Sequence, residues 1–167
     1  MYFAKQPQSG FRSGISYEDA LAVQQRYVNL LIPTLRGTAG CKAGLVTSAG
    51  QKRFGIDHPA RGVLLRKMLL PNGSKVSANY GTQPILEADL IVRVKDKGIN
   101  QARTLEEAAQ HLSEVIAFIE LADRTLSTNP PINAGALVAL NVGARSELLA
   151  KLGRLSPDAS SLRNLAR

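Results

Sequence analysis

Residues 84–95 read Pro-Ile-Leu-Glu-Ala-Asp-Leu-Ile-Val-Arg-Val-Lys, and they alternate. Leu86, Ala88, Leu90, Val92 and Val94 share one parity; Glu87, Asp89, Ile91, Arg93 and Lys95 share the other. A period of two with β-branched residues predicts a strand. Residues two apart on a strand project from one face, so Glu87 and Asp89 stand side by side. Two carboxylates held that close repel. Either one takes up a proton or a cation sits between them. The fold must bring positive charge to this face.

The chain around this stretch is long enough for one domain. At 167 residues it can bury about 70% of its unfolded surface, so no metal or disulfide is needed merely to hold it folded. Its 44% apolar and 20% charged residues are ordinary for a globular protein. The lone cysteine, Cys41, excludes an internal disulfide. No apolar run reaches the roughly 18 residues that span a bilayer, and residues 1–10 lack the apolar core of a signal peptide. A cytoplasmic location is expected, with an export leader cut from the chain as the alternative. The net charge of +8 raises nucleic acid as a partner. The basic residues are scattered, however, and the four tyrosines and four phenylalanines are not interleaved with them as base-stacking platforms. Attraction to small anions accounts for the charge instead.

The rest of the chain is expected to alternate helix and strand in an α+β domain. Residues 1–15 read as a flexible arm, 16–155 as the folded domain and 156–167 as a polar tail. Ser16 caps a helix that Pro33 stops. A short strand is expected within residues 37–45, with Cys41 facing the core, and a short helix over 47–54 capped by Ser48. Residues 63–70 and 75–80 read as a hairpin around Pro71-Asn72-Gly73. Thr104-Leu-Glu-Glu107 is a capping box, and Leu105, Ala108, Ala109, Leu112, Val115 and Ile116 extend a helical stripe over about 104–116. Residues 117–121 are apolar and strand-like, 128–131 form a loop, and 132–142 and 146–152 read as helices. His111 falls off its stripe and is expected in solvent.

Glu120 is the third acid of interest. A carboxylate within Ile-Ala-Phe-Ile-Glu-Leu-Ala must be paired. If its strand lies beside the first, Glu87, Asp89 and Glu120 converge, and three oxygen ligands suit Mg²⁺ or Mn²⁺. Zinc fits less well, since neither His58 nor His111 has ligand spacing. The alternative is that Glu87 and Asp89 are simply a solvated face and Glu120 pairs with Arg93, Arg124 or Lys42.

Several segments resemble a known family. Gly40-Cys-Lys-Ala-Gly-Leu-Val-Thr-Ser48 resembles the Gly-Tyr-Lys-x-Gly-Leu-Thr-Ser segment of the 2-keto-4-pentenoate hydratases, in the fumarylacetoacetate hydrolase superfamily. Gln51, Gly55-Ile-Asp-His-Pro59, Gly62-Val-Leu64 and Met68 follow in family order. Leu86-Glu-Ala-Asp-Leu90 is similar to the family's Val-Glu-Ala-Glu metal motif, and Phe118-Ile-Glu-Leu-Ala-Asp123 to its Ala-Ile-Glu-Ile-Val-Asp block. Asp19-Ala-Leu-Ala-Val-Gln24 resembles the preceding helix. The resemblance runs from about residue 16 to about residue 143, as expected of a short or truncated member.

The resemblance implies a mixed β-roll, present in part, and a homo-oligomer that covers its open edges. It implies one Mg²⁺ or Mn²⁺ on Glu87, Asp89 and Glu120, with Lys42 as the catalytic lysine beside a small unsaturated 2-oxo acid. The implied activity is that of a hydratase or decarboxylase, with a carbon–carbon bond hydrolase as a variant. Arg124 is a candidate to hold a substrate carboxylate, and His58 to contact substrate or act as a base. This chain departs from the pattern at Asp89, where the hydratases have glutamate, and at Ala60, where they carry a second acid. The alternative is therefore a catalytically silent relative, a binding or assembly subunit.

Overall fold

The computed structural model of the protein describes residues 2–11, 14–127 and 132–150. The loop expected at 128–131 and the tail expected at 156–167 lie outside them. Helix α1 spans Tyr17–Leu35; the Ser16 hydroxyl caps it by accepting from the Asp19 amide at 3.0 Å. Ala20, Gln24, Val28 and Leu31 recur every three or four residues and form its buried face. Contrary to expectation, α1 runs through Pro33 to Leu35. A proline so near the end removes only one hydrogen bond from a long helix, and Arg36, at a φ of 65°, ends it.

Strands β1 (Thr38–Gly44) and β2 (Ala60–Leu65) pair antiparallel, and α2 (Ser48–Phe54) lies between them in the chain. Thr47, not Ser48, caps α2, and Gly55 closes it in the left-handed region. Cys41 is exposed rather than in the core, because Lys42 takes the inward parity of β1. No hairpin forms over 63–80: a 3-10 turn at Arg66–Met68 leads into the two-residue strand β3 (Leu69–Leu70), and 75–80 is irregular.

The larger sheet has the order β3-β6-β5-β4, where β4 is Pro84–Val94, β5 is Leu112–Asp123 and β6 is Ser146–Leu149. β3 and β6 run parallel; the other pairs are antiparallel. Two expectations are corrected here. The helix at 104–116 is only α3, Leu105–Gln110, capped by Thr104 and Glu107 and ended at His111. Leu112, Val115 and Ile116 sit on β5, because a ladder along nearly the whole of β4 outweighs one more helical turn for β-branched residues. Residues 146–149 form a strand where a helix is expected, recruited by the same sheet. His111 is only half-exposed, and its ring nitrogen lies 2.7 Å from Asp96.

Helix α4 (Ala134–Ala139) packs against α1. Ala20, Ala60, Val138, Ala139 and Val142 form one buried cluster, and Tyr2, Val28, Leu31, Leu65 and Met68 another. Gln24 ties the elements together, donating to Arg61 O at 2.7 Å and Val138 O at 3.1 Å. The expected N-terminal arm is held rather than loose. Gln8 exchanges backbone bonds with Thr125 and Ser127, each 2.9 Å, and Tyr2 is buried. Among the described residues, no helix is long and apolar enough to cross a membrane.

Past α4 the chain turns through Asn141 and Val142, both with positive φ (59° and 54°). Asparagine tolerates this; valine does so only under strain. The buried Asn141 side chain holds the turn in place. Its Oδ1 accepts from Val63 N at 2.6 Å and its Nδ2 donates to Val63 O at 2.8 Å. Asn141→Ala would leave both Val63 backbone groups without these partners, and should lower stability by about 2–4 kcal/mol, read from the urea midpoint.

Candidate active site

The β4–β5–β6 register decides what lies together. Glu87 is the cross-strand partner of Glu120, and Glu120 that of Glu147. Neighbouring strands are about 4.8 Å apart, so three glutamates stand in one row on one sheet face. Asp89 shares this face two residues along β4, opposite Phe118. Like charges placed opposite one another destabilise a sheet.

Positive charge comes from β1. Lys42 Nζ donates to Glu120 Oε1, with both side chains largely buried. Lys42 can lie there because Gly62, its partner on β2, is bare. A Cβ at Gly62 would stand 2.8 Å from Lys42 Cγ and 2.9 Å from Asn141 O. Of the partners expected for Glu120, the structure selects Lys42. Arg93 pairs with Glu114 at 2.9 Å, and Arg124 is exposed. Asp123 pairs with Arg145, not Arg124, at 3.1 Å.

Glu87 and Glu120 of this row form part of the wall of a cavity of about 550 Å³. Lys42, Glu87, Glu120, Arg53 and Arg124 give it polar atoms, and Phe54, Ile85, Leu126, Leu137 and Val142 are among its apolar lining. His58 does not line it; the ring packs edge-on against Tyr17 in an exposed loop. Ala60, where the resemblance implies a second acid, is buried in one cluster with Val142.

Glu147 is the residue that sequence reasoning missed, because 146–152 reads as a short helix rather than as a strand of this sheet. It is 1% exposed, and neither carboxylate oxygen has a hydrogen-bond partner. Burial, then the charge of Glu120, pushes its carboxyl up to about 8, against the pull of Lys42. Burial also raises Glu120, which Lys42 opposes.

The donor set matches a hard divalent cation. Glu87, Asp89 and Glu120 are all carboxylates, and beside them Glu147 is buried with both oxygens unmatched. As the side chains stand, Glu120 is turned to Lys42, and among the described residues no three His, Cys, Asp or Glu side chains close on one point.

No family model matches the chain. Over 109 residues it is 32% identical to the 2-oxo-hept-4-ene-1,7-dioate hydratase of Escherichia coli, an alignment spanning 65% of this chain and 41% of that enzyme. Its fold superposes on 4-oxalocrotonate decarboxylase from Pseudomonas putida G7, solved with magnesium and adipate. The TM-score is 0.75 at 20% identity, covering 87% of this chain and 56% of the other. The same decarboxylase with calcium and acetate gives 0.67 at 21% identity, covering 81% and 51%. The chain is thus similar in sequence to part of that hydratase and in fold to part of that decarboxylase. The chain spans about half the length or less of these proteins. The α+β architecture expected from the sequence is the one found, and it matches part of the decarboxylase fold.

The raised carboxyls set a pH dependence. Unfolded, Glu147 titrates at its ordinary 4.5; folded, at about 8. Its contribution to stability is full below 4.5 and is lost as pH rises through about 8. The raised Glu120 acts in the same sense. Without added cation, the thermal midpoint of the wild type should fall from pH 5 to pH 8, and Glu147→Gln should flatten that fall.

Proposed function

We propose that the protein is a metal-dependent lyase, adding water to or removing carbon dioxide from a small unsaturated 2-oxo acid. Glu87, Asp89 and Glu120 would hold Mg²⁺ or Mn²⁺. The observation that carries this reading is the meeting of Lys42, Glu87 and Glu120 on the wall of one cavity, with Asp89 on the same sheet face. A cation bound there supplies Lewis-acid stabilisation of negative charge on a keto oxygen.

The chain's own residues account for the remainder. The Lys42 ammonium, fixed by Glu120 on a strand, can stabilise an oxyanion or hand a proton to the carbon chain. Arg124 and Arg53 offer guanidinium groups to a substrate carboxylate. Phe54, Leu137 and Val142 give the unsaturated carbons an apolar wall and displace water from it. His58 has no part in this arrangement. Homology to a hydratase and the fold shared with a decarboxylase support the reaction class.

The test is the ultraviolet loss of a 2-hydroxydienoate with and without Mg²⁺. Turnover should need the cation, vanish in Glu87→Ala, and fall at least about 100-fold in Lys42→Met. Cation-independent turnover, or none, would count against the reading. A second reading, a binding subunit without turnover, draws on Ala60, which cannot transfer a proton. It predicts that oxalate binds by calorimetry while no substrate is consumed.

The outer face of the large sheet supports the expected homo-oligomer. Leu86, Leu90, Val92 and Val94 are exposed there along β4, beside Ile119. A mass in solution above that of one chain is the expected result.

A further inference from the structure

Glu147 has no role in the ligand set just described. It has a place, however. It lies in register with Glu120 on the side away from Glu87, on the same sheet face. It is 1% exposed, and neither carboxylate oxygen has a partner. A buried carboxyl with both oxygens unmatched is costly to keep unless something binds it. Leucine or methionine would fill the position without that penalty.

Asp89 makes the contrast. It is exposed, it stands opposite Phe118 rather than an acid, and its Oδ1 already accepts from the Leu90 amide at 2.7 Å. It is also one methylene shorter than the glutamates. Besides Glu87, the acid beside Glu120 whose oxygens have no partner is therefore Glu147.

We propose that Glu147 is a ligand of the divalent cation, so that the ion is held by the cross-strand row Glu87, Glu120 and Glu147. This rests on the metal-dependent reading above. In this row Glu120 is shared between Lys42 and the cation, and Glu147 supplies the charge and oxygens that Lys42 draws from Glu120. Asp89 is then the weaker contributor.

The test uses Mn²⁺ alone, with no substrate. Free Mn²⁺ is read by its electron paramagnetic resonance signal during titration of the wild type, Glu147→Gln, Glu147→Met, Glu87→Gln and Asp89→Asn. Circular dichroism establishes that each variant is folded, and the methionine variant guards against an amide left unmatched in the core. The expected result is one site in the wild type, weakened at least about tenfold by either Glu147 variant and by Glu87→Gln, and less by Asp89→Asn. If both Glu147 variants bind as the wild type does while Glu87→Gln loses the ion, the role given to Glu147 is overturned and the metal reading stands. If the wild type binds no Mn²⁺ at millimolar concentration, both fall.

Discussion

Everything around the cavity answers to one electrostatic problem, a row of carboxylates on adjacent strands. Three glutamates in register across β4, β5 and β6 repel one another, and the sheet's own hydrogen bonds hold them in place. Lys42 relieves part of this through Glu120. Its reach depends on details elsewhere. β1 must turn Lys42 inward, Gly62 must leave the space above β2 bare, and Asn141 must clamp the turn that faces Gly62. The strained Val142 belongs to that clamp and also lines the cavity. Backbone strain here is held where the site needs its wall.

Much of the site was legible in the sequence, for a physical reason. Alternation survives any tertiary context, so Glu87 and Asp89 had to share a face once residues 84–95 were a strand. A lone acid in an apolar run had to find a cation, which placed Glu120. The choice of that cation was not legible. Lys42, Arg93 and Arg124 are equivalent on paper, and only the folded positions of their side chains separate them. Resemblance favoured Lys42 at a point where spacing could not.

The misses share one cause. Residues 112–116 carry helical spacing yet lie on β5, and 146–149 were read as helix yet form β6. In both, a partner strand far away in sequence decides the outcome, and no local pattern records its presence. Glu147 was lost with β6, since an acid on a helix surface needs no explanation. Cys41 failed for a related reason: parity shows which residues share a face, not which face meets the core.

Tyr2 lies against the Arg145 guanidinium, 4.5 Å from ring centroid to carbon, and exchanges hydrogen bonds with it. Arg145 in turn holds Asp123, at the end of the strand that carries Glu120, and stands two residues before Glu147. The opening residues are thus a clasp across the two strands that bear the inner acids. For anyone handling this protein, the position of an affinity tag is not neutral. A fusion that dislodges Tyr2 would take from Arg145 two hydrogen bonds and a ring contact, next to the strands that carry Glu120 and Glu147.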